Sequence, residues 1–310
     1  MDLMILNQVL VLFLLMAAGF FSIKLKIVTK EAGVSFSSFV LNIALPCLIL
    51  NSFRRSFSRE LLGEAGASLL IATAIYAFSL LIGWVYPYIL RIKGPERGVH
   101  RYSVVLSNSG LVGFPVIEAV LGPLFLFHGS IFNIPSNIIA FSFGAWLIAK
   151  EGGKAPAFSW KVFLNPSIIC TIAGFLMFLF AVPLPNPLEE SISLVGNITT
   201  PLSMAVIGMS IAQADMKQLF GSWRVYVTVL TRLIIIPALT FAGCYAAGLR
   251  GPLLMISVII TATPAGLTTP IMASVYNVGV EEAGAIVALS TVLCVITIPL
   301  AVVAVNFFGG

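Results

Sequence analysis

The chain has 310 residues, 59% of them apolar and only 9% charged, with a mean hydropathy of +1.06. A soluble domain carries about 25% charged residues, so a soluble enzyme, a nucleic-acid-binding protein and a disordered chain are all excluded. The net charge of +5 comes from 17 Lys and Arg set in short clusters between apolar runs, as in polytopic membrane proteins, and implies no nucleic-acid partner.

Ten apolar stretches long enough to cross a bilayer, about 20 residues each, are predicted as helices near 4–23, 33–53, 65–88, 102–121, 124–148, 164–183, 190–212, 224–248, 252–276 and 283–306. They are too long for barrel strands and do not alternate in polarity, so the fold class is an all-α membrane protein. Asp2 is the only charge before Lys24, and the first stretch reads as a retained span rather than a cleaved signal. The longest polar gap runs from Lys150 to Lys161 and contains Gly152, Gly153 and Pro156, so no soluble domain is expected between the spans. With the N-terminus outside, the inner loops hold twelve basic residues: Lys24, Lys26 and Lys30, then Arg91, Lys93, Arg97 and Arg101, then Lys150, Lys154 and Lys161, and finally Lys217 and Arg224. The outer loops hold Arg54, Arg55, Arg59 and Arg250, and Arg232 lies within a span. That bias predicts both termini on the non-cytoplasmic side. Cys47, Cys170, Cys244 and Cys294 all lie in apolar spans without a CxxC pair, which reads as packing rather than metal or disulfide chemistry.

An internal repeat runs through the chain. Ala18-Gly19-Phe20 recurs as Ala173-Gly174-Phe175, Asn42-Ile43 with Pro46 recurs as Asn197-Ile198 with Pro201, and Pro115-Val116 recurs as Pro270-Ile271, each 155 residues on. The expected organisation is a first five-helix repeat over 1–149, a short cytoplasmic linker over 150–163 and a second repeat over 164–310. Five is odd, so the second copy enters the membrane from the other side. Inverted repeats of this kind are an architecture of secondary transporters.

The fourth and ninth spans carry the helix breakers. The fourth reads Ser107-Asn108-Ser109-Gly110-Leu111-Val112-Gly113-Phe114-Pro115, and the ninth Thr261-Ala262-Thr263-Pro264-Ala265-Gly266-Leu267-Thr268-Thr269-Pro270. Glycine frees the backbone and proline removes a donor. An unwound stretch at membrane depth is tolerated only inside protein or beside a wet cavity. The two breaks are therefore expected to cross, with half-helices after Pro115 and Pro270 turning unpaired N–H groups toward an anion. Asn108, Ser109, Thr263, Thr268 and Thr269 would add side-chain hydrogen bonds, and Gly110, Ala265 and Gly266 would let the backbone approach. The bland alternative is a pair of proline-kinked helices. Asn42 precedes Pro46 by four residues and either satisfies the backbone locally or faces the cavity. Asn137 lies one turn from Asn133 in the fifth span and either lines the cavity or bonds between helices. Glu118 and Arg232 are ionisable groups inside spans and so are coupling candidates; a wet vestibule for Glu118 and snorkelling for Arg232 are the competing readings. His100 and His128 lie near span ends and are expected in loops. No nucleophile–base pair, metal-ligand spacing, cofactor motif or Walker A sequence appears, so a non-enzyme is expected.

On these residues the chain resembles the auxin efflux carrier family, which includes the plant PIN-FORMED carriers and bacterial permeases for small carboxylates. Asn42-Ile43-Ala44-Leu45-Pro46, the stretch from Asn108 to Pro115, Asn165-Pro166, and Ala265 to Pro270 with Tyr276-Asn277 carry the likeness over nearly the whole length. It implies a scaffold domain, a transport domain with crossed, broken helices, and a substrate site lined by Asn108, Pro115 and Pro270. It further implies an elevator-like motion, a homodimer and an inner-membrane location. The long cytoplasmic loop of the plant carriers is absent here, and position 118 is Glu where the plant pattern has a basic residue. The resulting expectation is a secondary transporter of small mono- or dicarboxylates or auxin-like acids. A bile-acid-type sodium symporter and an anion channel are the alternatives.

Overall fold

The computed structural model describes residues 2–153, 164–214 and 222–309. Lys154, Lys161 and Lys217 of the charge count, and the predicted linker beyond Gly153, lie outside the described residues. The chain forms helices α1 (Asp2–Lys24), α2 (Lys30–Phe39), α3 (Leu45–Ser52), α4 (Arg59–Ile89), α5 (Glu96–Val105), α6 (Phe114–Leu121), α7 (Leu126–Ile139), α8 (Ala145–Glu151), α9 (Pro166–Phe180), α10 (Asn186–Asn197), α11 (Thr199–Gln213), α12 (Trp223–Leu230), α13 (Ile236–Ala246), α14 (Gly251–Ala262), α15 (Thr268–Tyr276) and α16 (Val280–Phe308). Seven helical runs are long and apolar enough to cross a membrane, and Ser109–Leu121, Pro166–Phe180 and Gly251–Ala262 are shorter apolar helices.

Four π-helical turns join these pieces: Val40–Ala44, Ser109–Gly113, Ala140–Gly144 and Thr231–Ile235. Three of them stand just ahead of a proline, Pro46, Pro115 and Pro237, at the first or second position of the next helix. Proline has no N–H to give the carbonyl four residues earlier. The wider turn shifts the register across that gap, so the helix continues where a plain α-helix would kink. Helix ends follow local chemistry. Asn165 caps α9 by accepting the Ser167 N–H at 2.9 Å, with Pro166 at the first position. Asn277, at φ 55°, ends α15 in the left-handed conformation that Asn tolerates.

The chain divides into two compact units, each drawing on both halves of the sequence. The first comprises residues 1–70, 110–134 and 163–213. In it α1 packs along α11, and α3 packs on α9 and α10. Gly19 and Gly208 bring the α1 and α11 backbones together: a Cβ at Gly208 would stand 1.8 Å from the Met16 carbonyl oxygen, and one at Gly19 2.0 Å from that of Ala205. Small residues at such a crossing are the usual route to helix packing in lipid. The Phe53 ring lies against Gly174 and stacks edge-on with Phe127 and Phe175. The second unit comprises residues 71–109, 135–162 and 214–310. In it Tyr86, Ile92, Val104 and Ile236 form a buried cluster, with Ile82 and Leu90 packed against it.

Candidate functional site

Two helices of the second unit stop in the middle of apolar sequence, and the chain leaves the helix for local reasons. Thr263 precedes Pro264, whose ring disfavours helical backbone at the residue before it; Thr263 is extended, at φ −68° and ψ 153°. Leu106 is also extended, at φ −103° and ψ 131°, and ends α5. The two extended stretches meet side by side. Ser107 and Ala265 form an antiparallel bridge, with the Asn108 N–H donating to the Pro264 carbonyl at 2.8 Å and the Gly266 N–H donating to the Leu106 carbonyl at 3.2 Å. The Ala265 N–H donates to the Ser290 hydroxyl at 3.1 Å, and that hydroxyl donates to the Val287 carbonyl at 3.1 Å. The non-helical backbone is thereby paired without water, as membrane depth requires.

The crossing reverses electrostatic polarity within a few residues. α5 and α14 both end there and present the negative ends of their dipoles, while the helices beginning at Ser109 and Thr268 present positive ends. Arg232, 1% exposed, lies against the negative ends. Its Nε donates to the Thr263 carbonyl at 3.2 Å and its Nη1 to the Val104 carbonyl at 3.1 Å. One guanidinium so caps both helix C-termini and offsets their partial charge. The positive ends keep their bias toward an anion.

Around the start of α15, the Tyr102 hydroxyl donates to Thr268 Oγ1 at 2.9 Å, and the Thr269 N–H donates to the Gly266 carbonyl at 2.9 Å. Thr269 Oγ1 is buried and has no hydrogen-bond partner among the described residues. Tyr76 sits over Ser107 at 3.4 Å between hydroxyls. Because Tyr102 is fully buried and its hydroxyl has this one partner, Tyr102→Phe is expected to cost about 1 kcal/mol of stability. Thermal unfolding of the detergent-solubilised variant measures it; an unchanged midpoint would show that the bond does not hold Thr268.

The predicted site residues divide between the units. Asn108, Ser109, Thr263, Ala265, Gly266, Thr268, Thr269 and Pro270 come together in the second unit, and Asn137 lies in the same unit on α7, half-buried. Gly110, Pro115, Asn42 and Glu118 belong to the first unit. The half-helices start at Ser109 and Thr268, ahead of the prolines and not after them. Pro115 is carried by the π turn, and Pro270 lies in the first turn of α15, where its missing N–H has no intrahelical partner to lose. Asn42 is exposed, and its Nδ2 donates to the Ser38 carbonyl at 2.8 Å, the local-backbone reading of that residue. The Glu118 carboxylate accepts a hydrogen bond from the Thr200 hydroxyl. Arg232 does not snorkel; helix-end carbonyls hold it in the interior. His100 and His128 lie in helices rather than loops, and both are buried; one ring nitrogen of each meets a hydroxyl, Thr228 for His100 and Ser68 for His128. The sequence reading missed Tyr102, Tyr76 and Ser290. Each is a polar group within an apolar helix, a signal that was present but carried no partner.

A groove of about 350 Å³ elsewhere in the second unit is lined by Leu233, Pro237, Phe241, Val258, Leu300 and Phe308 among others. Its walls are almost wholly apolar, with the Thr297 hydroxyl as the polar exception, whereas the crossing gathers several polar groups and helix N-termini.

Comparison with known proteins points to membrane transport. The profile of a family described as membrane transport protein matches residues 4–302. A protein of Rhizobium meliloti named as a malonate transporter is 21% identical over 304 residues, covering 94% of this chain and 92% of the other. The uncharacterised transporter YfdV of Escherichia coli K12 is 23% identical over 305 residues, covering 95% of each chain. A rice auxin efflux carrier component, 5b, is 29% identical over 125 residues, covering 39% of this chain and 34% of the other.

Proposed function

The chain belongs to the membrane transport protein family, that of the auxin efflux carriers, and from that premise we propose that it is a secondary transporter of small organic anions, mono- or dicarboxylates, working by alternating access around the crossed breaks. The observation that carries this reading is the crossing itself: two interrupted helices paired at Ser107 and Ala265, with Arg232 on their C-terminal carbonyls and helix N-termini at Ser109 and Thr268. A carboxylate binds at those N-termini, with Asn108, Thr268 and Thr269 orienting it. Substrate chemistry starts from the name of the Rhizobium relative, and malonate is the first compound to test.

The packing supports ten spans in a five-plus-five inverted repeat. α1 lies on α11 and α9 lies on α3, the same relation with the two halves exchanged, since α9 follows α1 and α11 follows α3 at the repeat spacing. In this reading both termini face the non-cytoplasmic side of a bacterial inner membrane, and one group of helices moves against the other as an elevator.

The test is substrate-induced charge movement in proteoliposomes on a solid support, paired with counterflow of labelled malonate to catch electroneutral exchange. The expected result is a saturable signal that falls at least tenfold in Asn108→Ala, the scale of one hydrogen bond to a charged ligand, about 2 kcal/mol. A signal that the variant keeps unchanged would place the substrate away from the crossing. A conductance that does not saturate would mean a channel.

A further inference from the structure

α5 carries a second polar constellation at its other end, about 15 Å along the helix from the crossing. His100 is fully buried, with Nδ1 2.6 Å from the Thr228 hydroxyl. That hydroxyl already donates its own proton to the Arg224 carbonyl at 2.8 Å and accepts from Tyr86 at 3.0 Å. With its own proton directed to Arg224, that hydroxyl accepts from His100 Nδ1, and the other ring nitrogen, Nε2, is turned outward. Nε2 faces Glu282 Oε2 at 3.6 Å. Both atoms are buried, and neither has a hydrogen-bond partner among the described residues. A lone pair and a carboxylate oxygen so placed repel each other unless a proton lies on one of them.

Glu96, on the first turn of α5, closes the group. Its carboxyl feels the Glu282 charge, and like charges held close favour a proton on one of them. Burial, then the neighbouring Glu282 charge, raise the Glu96 carboxyl above the usual carboxylate range, against the pull of His100 and Arg224. Gly279, at φ 53°, brings the start of α16 within van der Waals reach of Glu96. The other charged groups on the surrounding elements are Arg224 on α12, Lys150 and Glu151 on α8, Arg97 and Arg101 on α5, Glu281 on α16 and Arg232 at the far end. Glu151 is taken by Arg101 at 3.1 Å, and Glu281 is exposed. Among the described residues no His, Cys, Asp and Glu group is disposed to hold a metal ion.

We propose that Glu96, Glu282 and His100 form a proton-binding site that couples proton movement to transport. The coupling, though not the site, rests on the carboxylate-transport reading above. The two carboxylates stand on the two helices that hold the crossing: α5 leads into Leu106, and α16 carries Ser290, which holds the Ala265 N–H. With the proton bound, α5 and α16 are tied across the pair; with it lost, two like charges push the same helices apart, and the strain acts on the crossed segments.

Infrared titration of the full chain in proteoliposomes, without substrate, tests the site. A protonated-carboxyl band should be present at neutral pH and vanish as pH rises through the raised value. It should be lost in Glu96→Gln and in Glu282→Gln, because a lone remaining carboxyl no longer has a like charge to hold the proton on. Glu96→Asp should retain it, which separates proton binding from a general loss of fold. A wild-type spectrum without a titrating band, or a band that survives both Gln replacements, overturns the site. In the same vesicles an inward proton gradient should speed labelled malonate uptake severalfold in wild type and less than twofold in Glu96→Gln. Undiminished acceleration in both Gln variants overturns the coupling. A titrating band in a protein that moves no carboxylate supports the site and overturns the transport reading.

Discussion

Replacing Arg232 with Met should destabilise the protein by about 3 kcal/mol and reduce transport at least tenfold. The side chain is enclosed and makes two hydrogen bonds to the last carbonyls of α5 and α14, at 3.1 and 3.2 Å. Hydrogen bonds from a charged donor contribute about 1.5–3 kcal/mol each, and the orphaned carbonyls would have neither water nor a neighbouring N–H in apolar surroundings. Removing a buried cation relieves its desolvation, which offsets part of the loss. Arg232→Lys should fall between the two, since a single ammonium cannot span both carbonyls as the planar fork does. Thermal unfolding in detergent and malonate counterflow read the two effects. A Met variant as stable as wild type would show that the helix ends find other partners and that the guanidinium does not clamp the crossing.

The second large effect is expected at Gly208, where Val should abolish correct assembly of the first unit. A Cβ there would stand 1.8 Å from the Met16 carbonyl oxygen, and the atom it meets is backbone rather than the end of a movable side chain. Relief requires α1 and α11 to separate along their shared face. That opens the packing of Ile23, Met209 and Ala212 with Phe20 and Phe36. Overpacking normally costs about 1–3 kcal/mol; a backbone clash on a helix pair exceeds that range. Gly19→Val should behave the same way, its Cβ falling 2.0 Å from the Ala205 carbonyl oxygen. The measure is the monodisperse fraction in size-exclusion chromatography of the detergent extract. A Gly208→Val protein that elutes and unfolds like wild type would mean that α1 and α11 do not pack this closely.

Much of this was readable from residue order, and what was not has definite causes. The apolar runs exposed the helices, because a bilayer leaves no other use for them. The repeat exposed the paired breaks, because Gly and Pro act on their own backbone. Asn108, Thr263, Ala265, Gly266 and Thr268, singled out in this way, meet at the crossing. The start of each half-helix was misplaced because proline looks like a breaker wherever it stands, yet Pro115 and Pro270 ride inside helices. Arg232 stood out as a charge in a span, but its partners are carbonyls of Val104 and Thr263, and backbone carbonyls leave no mark in a sequence. The Glu96–Glu282–His100 group was missed for the same reason. Glu96 and Glu282 stand 186 residues apart in the chain (282 less 96), and only folding puts them near each other. Asn42 shows that a residue shared by both repeats can serve its own helix.

The pairing of Ser107 with Ala265 also sets a schedule for biosynthesis. The hydrogen-bonding groups of Leu106 and Asn108 have their partners at Gly266 and Pro264, so the first stretch leaves the ribosome well over a hundred residues before the second. At about 5–20 residues per second the nascent chain waits roughly ten to thirty seconds with an interrupted helix whose peptide groups lack their final partners. Lipid cannot satisfy them. The early stretch must stay sheltered by the insertion machinery, by water at the membrane surface or by a temporary helical conformation until the ninth span arrives. The crossing thus closes late in synthesis, and truncations that end before Gly266 should be cleared by quality control rather than accumulate as a stable half-protein.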